Sequence, residues 1–191
     1  MNTIAPVVVY DACLLYPALL RDFLMRLAVA GCMRAHWSRK IQDEWKFNLL
    51  RNRPGLSPSQ IDETIYSMEA AIPDALVESD AGLISSFQLP DPNDCHVLAT
   101  AIQCRASVIM TFNLRDFPRE VLRPFGVEAQ HPDDVVARLS LLNRRTVIEV
   151  VRKHRAKLIK PRLDADAYLN ALRKQGLVQT SKILASYRGE I

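Results

Sequence analysis

Val7-Val8-Val9-Tyr10 is an unbroken apolar run that stops at Asp11, the pattern of a short parallel strand buried on both faces. Pro17 suits a first helical turn, and Leu19, Leu20, Phe23, Leu24 and Leu27 then repeat at helical spacing to about Ala30. A second helix is predicted from about Trp37 to Arg51, with Ile41, Trp45 and Leu49 as its apolar stripe. Ser57-Pro58-Ser59-Gln60 combines an N-cap serine, a proline at the first helical position and a glutamine three residues after the cap. It opens a third helix that carries Ile61, Ile65, Met68 and Ile72 and stops at Pro73. Leu89-Pro90-Asp91-Pro92-Asn93 reads as a turn, followed by a helix from about Asp94 to Cys104. Ser107 to Thr111 is a second buried strand, Phe112 to Phe117 a loop, Pro118 to Leu122 a short helix and Val127 to Ala129 a brief strand. Pro132 opens a helix to about Leu142, and three more helices are predicted over Leu141–Lys157, Asp164–Gln175 and Leu177–Tyr187.

Strands separated by helices predict an α/β fold with a central parallel sheet, and ligands of such sheets gather beyond the carboxyl ends of the strands. The domain expectation is an α/β unit over residues 1–140 and a helical extension over 141–191. Charge divides at the same place. Residues 1–140 carry 13 Lys+Arg against 17 Asp+Glu, whereas residues 141–191 carry 12 against 4, so an acidic front precedes a basic tail. Acids can hold cations and basic segments can approach a polyanion, although a charged helical tail also suits plain solvation.

With 49% apolar residues the chain can bury a core without staples. No stretch is long and apolar enough to span a bilayer, and no secretory signal is expected before the first strand. Cys13, Cys32, Cys95 and Cys104 show no metal-binding spacing, which points to reduced thiols in a cytoplasmic protein. No phosphate-cradling glycine loop is present.

The candidate chemistry is carboxylate chemistry. Asp11 follows a strand, Glu44 borders the apolar stripe of its helix, Asp91 and Asp94 stand at a helix head, and Asp116 falls in a polar loop after a strand. Each has a plain structural role open to it, as cap, turn or solvated face. As a set they say more, because two carboxylates about 4 Å apart repel by roughly 4 kcal/mol at an effective dielectric near 20. Converging acids need cations or protons, and oxygen donors suit Mg²⁺ or Mn²⁺.

Four segments carry a resemblance. They are Val7 to Asp11, Trp37 to Glu44, Asp91-Pro92-Asn93-Asp94-Cys95-His96-Val97-Leu98-Ala99-Thr100-Ala101, and Thr111-Phe112-Asn113-Leu114-Arg115-Asp116-Phe117. In this order and spacing the chain resembles PIN-domain ribonucleases, and within them the VapC-type toxins of bacterial toxin–antitoxin pairs. The tail, with Arg152-Lys153-His154-Arg155, resembles a C-terminal helical extension of some VapC-like proteins.

The resemblance implies a PIN-like α/β/α sandwich that cleaves RNA with acids on Mg²⁺ or Mn²⁺. Asp11, Glu44, Asp94 and Asp116 match the family's acidic positions, and Asp91 matches an extra acid of one subgroup. Some members carry an acid where this chain has Asn113, which leaves open whether Asn113 or Asp116 stands nearer the metal. Thr111 and Asn113 are expected to orient the ligands, and Arg115, Arg51 and Arg53 to meet RNA phosphates. The implied partners are RNA, a cognate antitoxin and, as is common in the family, a second copy of the chain. The competing expectation is a catalytically silent PIN-like module that acts by binding a protein. A receiver domain would want paired acids near the first strand and a late lysine, and a haloacid-dehalogenase-like phosphatase would want Asp-x-Asp; Asp11-Ala12-Cys13 supplies neither pattern.

Overall fold

The computed structural model describes residues 5–78 and 80–191; Met1 to Ile4, part of the segment read for a secretory signal, lie outside the described residues. In chain order the elements are β1 (Val7–Tyr10), α1 (Ala12–Leu15), α2 (Ala18–Val29), β2 (Arg34–Ser38), α3 (Arg39–Asn52), α4 (Pro58–Ala71), β3 (Leu76–Val77) and α5 (Ala81–Ser85). Then follow α6 (Cys95–Gln103), β4 (Val108–Met110), α7 (Arg119–Leu122), β5 (Glu128–Gln130), α8 (Pro132–Leu142), α9 (Arg144–Lys157), α10 (Ala165–Lys174) and α11 (Val178–Ala185). Short 3₁₀ turns cover Pro92–Asp94, Leu114–Asp116 and Arg123–Phe125.

The strands form one parallel sheet in the order β3-β2-β1-β4-β5. This is the predicted α/β class, and it places the topological switch between β1 and β4. Val8, Val9 and Tyr10 are fully buried, as an apolar strand covered on both faces requires. The Tyr10 hydroxyl donates to the Leu24 carbonyl at 3.1 Å, so its burial leaves no orphan donor.

Two expectations need correction. The helix predicted from Trp37 begins only at Arg39, because Arg34–Ser38 is strand β2 and Ser38 is the N-cap, its hydroxyl accepting from the Ile41 amide. A run containing arginine, histidine and serine lacks the apolar signature of β1, yet four of its five residues are buried beside Tyr10. Strand β3 is two residues long, below what periodicity can register. The Ser57 capping box stands as predicted, with both reciprocal bonds made.

The last helices share the core of the sheet domain. Val147, Val151, Tyr168, Leu172 and Leu184 lie in the same buried cluster as Val9 and Phe23. Helix α8 runs across residue 140 and ends at Leu142, with α9 packing on α2 and α11 on α8. A buried carboxylate fastens the end of the chain: Asp133 accepts the amides of Gln179 at 2.6 Å and Thr180 at 2.8 Å, at the N-terminus of α11. Asp164 caps α10 as predicted, and Gly176 turns out of it at φ +85°, where an added Cβ would meet the Phe112 ring at 3.1 Å.

Candidate functional site

The strand order fixes where a site can form. Chain connections leave β1 and β4 in opposite directions, which opens a crevice beyond their carboxyl ends. Asp11 and Thr111, the first residues past those ends, meet across it: the Thr111 hydroxyl donates to Asp11 Oδ2 at 2.5 Å. The Cys13 thiol donates to the same oxygen at 3.1 Å. Thr111 is fully buried and Asp11 nearly so. Burial pushes the Asp11 carboxyl up, the Thr111 and Cys13 hydrogen bonds pull it down, and the charge of Glu44 raises it again, for a net rise.

Asp94 heads α6, which packs against β1, β2 and β4. Its carboxyl is pushed up to about 7, first by burial and then by the charges of Asp11, Asp91, Glu44 and Asp116. Every charged group acting on it is another acid. The five acidic positions singled out in the sequence, from four separate segments, therefore occupy one electrostatic neighbourhood, with Asp116 acting on Asp94 most weakly.

Their settings differ. Glu44 is an exposed side chain on α3, with Oε2 3.5 Å from Nε2 of the buried His96 on α6. Asp91 caps the 3₁₀ turn, its Oδ1 accepting the Asn93 backbone amide at 2.9 Å and the Asn93 side-chain amide at 3.0 Å. The Asn113 backbone amide donates to Thr111 Oγ1 at 2.9 Å, completing a chain from loop backbone through Thr111 to Asp11. Arg115 is exposed beside Asp116. Arg51 lies over the Phe47 ring at the far end of α3, and Arg53 lines a groove with Trp45 and Leu56. Cys13 and His96 received no role from the sequence. The His96–Glu44 contact is non-local, and although Cys13 lies only two residues from Asp11, its thiol also approaches Thr111 across the fold.

An all-oxygen set of hard donors is what Mg²⁺ or Mn²⁺ takes. The observation that tests the fit is Asp94, a half-buried carboxyl raised first by burial and then by four surrounding acids, a charge that a divalent cation would balance. Among the described residues no three His, Cys, Asp or Glu side chains already converge at coordinating distances. The acids are neighbours rather than a closed cage, an arrangement compatible with an ion that keeps several waters. A groove of about 560 Å³ lies elsewhere, between α2, α4 and the end of α9.

Acids gathered at the strand ends of a small parallel sheet define the class, an α/β protein with an acidic pocket at its topological switch. The PIN-domain family profile matches residues 7–115, more than half of the chain, and the chain belongs to that family. Residues 132–186 match the family described as the VapC50 C-terminal domain. A protein of Mycobacterium tuberculosis (strain ATCC 25618 / H37Rv) named "Putative ribonuclease VapC50" is 54% identical over 41 residues, 22% of this chain. The match spans 24% of that relative's own length. No solved structure matches.

Proposed function

We propose that the chain is a metal-dependent endoribonuclease, the toxin of a type II toxin–antitoxin pair. The observation that carries this reading is the coupling of Asp11, Glu44 and Asp116 to a half-buried Asp94 at the strand ends. The PIN family and the name of the mycobacterial relative support it. Asp11, Glu44, Asp94 and Asp116 would hold Mg²⁺ or Mn²⁺, with Asp91 as a supporting acid. When bound, such an ion supplies an activated water and neutralises developing charge on the phosphoryl oxygens.

The remaining steps belong to the chain's own residues. Thr111 and Cys13 fix the Asp11 carboxylate by hydrogen bonds to one of its oxygens. Asn113 braces Thr111 through its backbone amide. His96 sits against Glu44 and limits where that flexible side chain can point. Asp94, whose carboxyl burial and the surrounding acids raise to about 7, would hold the ion as a carboxylate. Arg115, Arg51 and Arg53 would meet backbone phosphates, which supply most of the affinity for nucleic acid. The catalytic unit is residues 1–140, with 141–191 as an extension packed on it. The protein would act in the cytoplasm, held in check by a cognate antitoxin, and would form homodimers; no helix of the described residues is long and apolar enough to cross a membrane.

Incubation of the protein with structured RNA and Mn²⁺ tests the reading, with Asp11→Ala and Asp94→Ala beside the wild type. The expected result is cleavage by the wild type alone. One observation favours a second reading, a silent module that binds a protein partner: the acids are not already assembled at coordinating distances. Equal RNA turnover by wild type and both variants, or none by any, would leave that second reading standing.

A further inference from the structure

We propose that a track of four arginines, Arg115, Arg119, Arg123 and Arg138, carries the RNA strand along the β5 edge of the sheet, away from the acidic pocket. This rests on the ribonuclease reading and names the surface that holds the substrate's backbone.

Two grooves lie side by side at this edge. One, about 480 Å³, is lined by Arg115, Arg119, Phe117 and Glu128. The other, about 510 Å³, is lined by Arg119, Arg123, Arg138 and Glu128, and reaches Pro6 and Ser107 at the opposite end of the sheet. Arg119 and Glu128 belong to both, so the grooves form one path past β5. The path begins beside Asp116, since Arg115 is its neighbour in the chain.

All four arginines are exposed. Among the described residues none of them forms a salt bridge, a state they share with other arginines of the chain; what sets them apart is that they line one continuous path. Arg138 is aimed rather than neutralised: its Nη2 donates to Gln130 Oε1 at 2.9 Å. The single carboxylate on the path, Glu128, accepts from Gln130 Nε2 at 3.1 Å.

Edge strands are commonly guarded by charge, but such a guard needs only charged residues on the strand itself. Here the cations come from two flanking turns, from the start of α7 and from α8, and they line concave surface. Guanidinium forks match the oxygens of phosphates in pairs, as they do those of carboxylates, so the track suits a polyanion such as a nucleic-acid backbone. Continuity with the acidic pocket argues the same way: a strand held for cleavage must leave past the side chain next to Asp116.

The test is the salt dependence of RNA binding. Fluorescence anisotropy of a short single-stranded oligoribonucleotide is measured with metal chelated, for the wild type and for a combined Arg119→Ala, Arg123→Ala, Arg138→Ala variant. Each lost phosphate contact removes about 0.7 from the slope of log affinity against log salt, so the triple variant should bind more weakly with a slope smaller by about 2. The corresponding triple Arg→Lys variant should keep the wild-type slope, because charge sets it. A slope unchanged in the alanine variant overturns the track. So does arginine-dependent binding of polyglutamate without binding of RNA, which would mark a surface for an acidic protein. Loss of cleavage by Asp94→Ala with the arginine-dependent slope intact supports both readings. Wild-type protein that binds RNA with that slope but never cleaves it keeps the track and removes the nuclease reading. Cleavage by the wild type with an unchanged slope in the alanine variant does the reverse.

Discussion

Asp94 and Asp22 are both half-buried aspartates, and the fold treats them in opposite ways. Around Asp94 stand burial and four other acids, and its carboxyl rises to about 7. Burial raises Asp22 as well, but the nearby His154 imidazole and Arg26, the latter through a formed hydrogen bond and ion pair, outweigh it and bring the carboxyl down to about 2. His154 joins the two parts of the chain at this junction. It is fully buried, stacks on Phe23 with ring centroids 5.7 Å apart, and shares a 2.8 Å hydrogen bond with the Tyr168 hydroxyl. Its Nε2 stands 3.3 Å from Asp22 Oδ2, a charge contact without the alignment of a formed hydrogen bond. One region collects like charge and leaves it unbalanced, while the other gives its carboxylate partners. A carboxyl displaced by burial and like charge in a crevice marks a candidate functional site.

The largest effect is expected in the satisfied region. Asp133→Ala would leave the amides of Gln179 and Thr180 without their acceptor inside the protein. At roughly 1–3 kcal/mol for each orphaned donor, the loss should be about 2–6 kcal/mol, read as an earlier denaturation midpoint. A change within experimental error would mean that α11 does not depend on this clamp.

In the unbalanced region, function should suffer more than stability. Thr111→Val keeps the shape of a fully buried side chain but removes the hydrogen bond to Asp11. Partners of this kind cost about 10–100-fold in activity or metal affinity when lost. RNA cleavage should fall within that range while the melting temperature moves little. An undiminished rate would show that Asp11 needs no such support.

The two aspartates should also respond to pH with opposite signs. In metal-free protein the folded-state value of Asp94 lies above its ordinary 3.8, so the unfolded chain loses its proton first. Its contribution is neutral below about pH 4 and grows destabilising as pH rises towards 7. Asp22 lies below 3.8, so it stabilises the fold above that value and loses its contribution as pH falls towards 2. Denaturation of chelated protein between pH 4 and 7 should show a falling trend that Asp94→Asn flattens and Asp22→Asn does not. The smallest effect is expected from Asp22→Asn near neutrality, at or below about 1 kcal/mol, because the Asp22 side chain is 46% exposed.

The sequence revealed the acids better than the framework that joins them. Asp11 and Asp94 were legible because an apolar run ended at one and a helix began at the other. The Ser57 box and the Asp164 cap were legible because capping is local. Strand β2 was misread because its burial comes from neighbours distant in sequence, and polar residues such as His36 and Ser38 conceal it. Cys13, His96 and Asp133 were missed as supporting residues for the same reason. The contacts of His96 and Asp133 cross the fold, while the Cys13–Asp11 bond depends on a turn whose shape β4 and Thr111 set. The arginines at 115, 119 and 123 are evenly spaced in sequence, but only Arg138, arriving from α8, shows that they line a path.

Titration of Mn²⁺ into metal-free protein, followed by loss of the free-ion electron paramagnetic resonance signal, addresses the balance of charge at the strand ends directly. The wild type should take up the ion and release a proton near neutral pH, and Asp11→Asn and Asp94→Asn should each bind it at least about tenfold more weakly. Equal uptake by the wild type and both variants, or no uptake by the wild type, would contradict the assignment of these acids as a cation site.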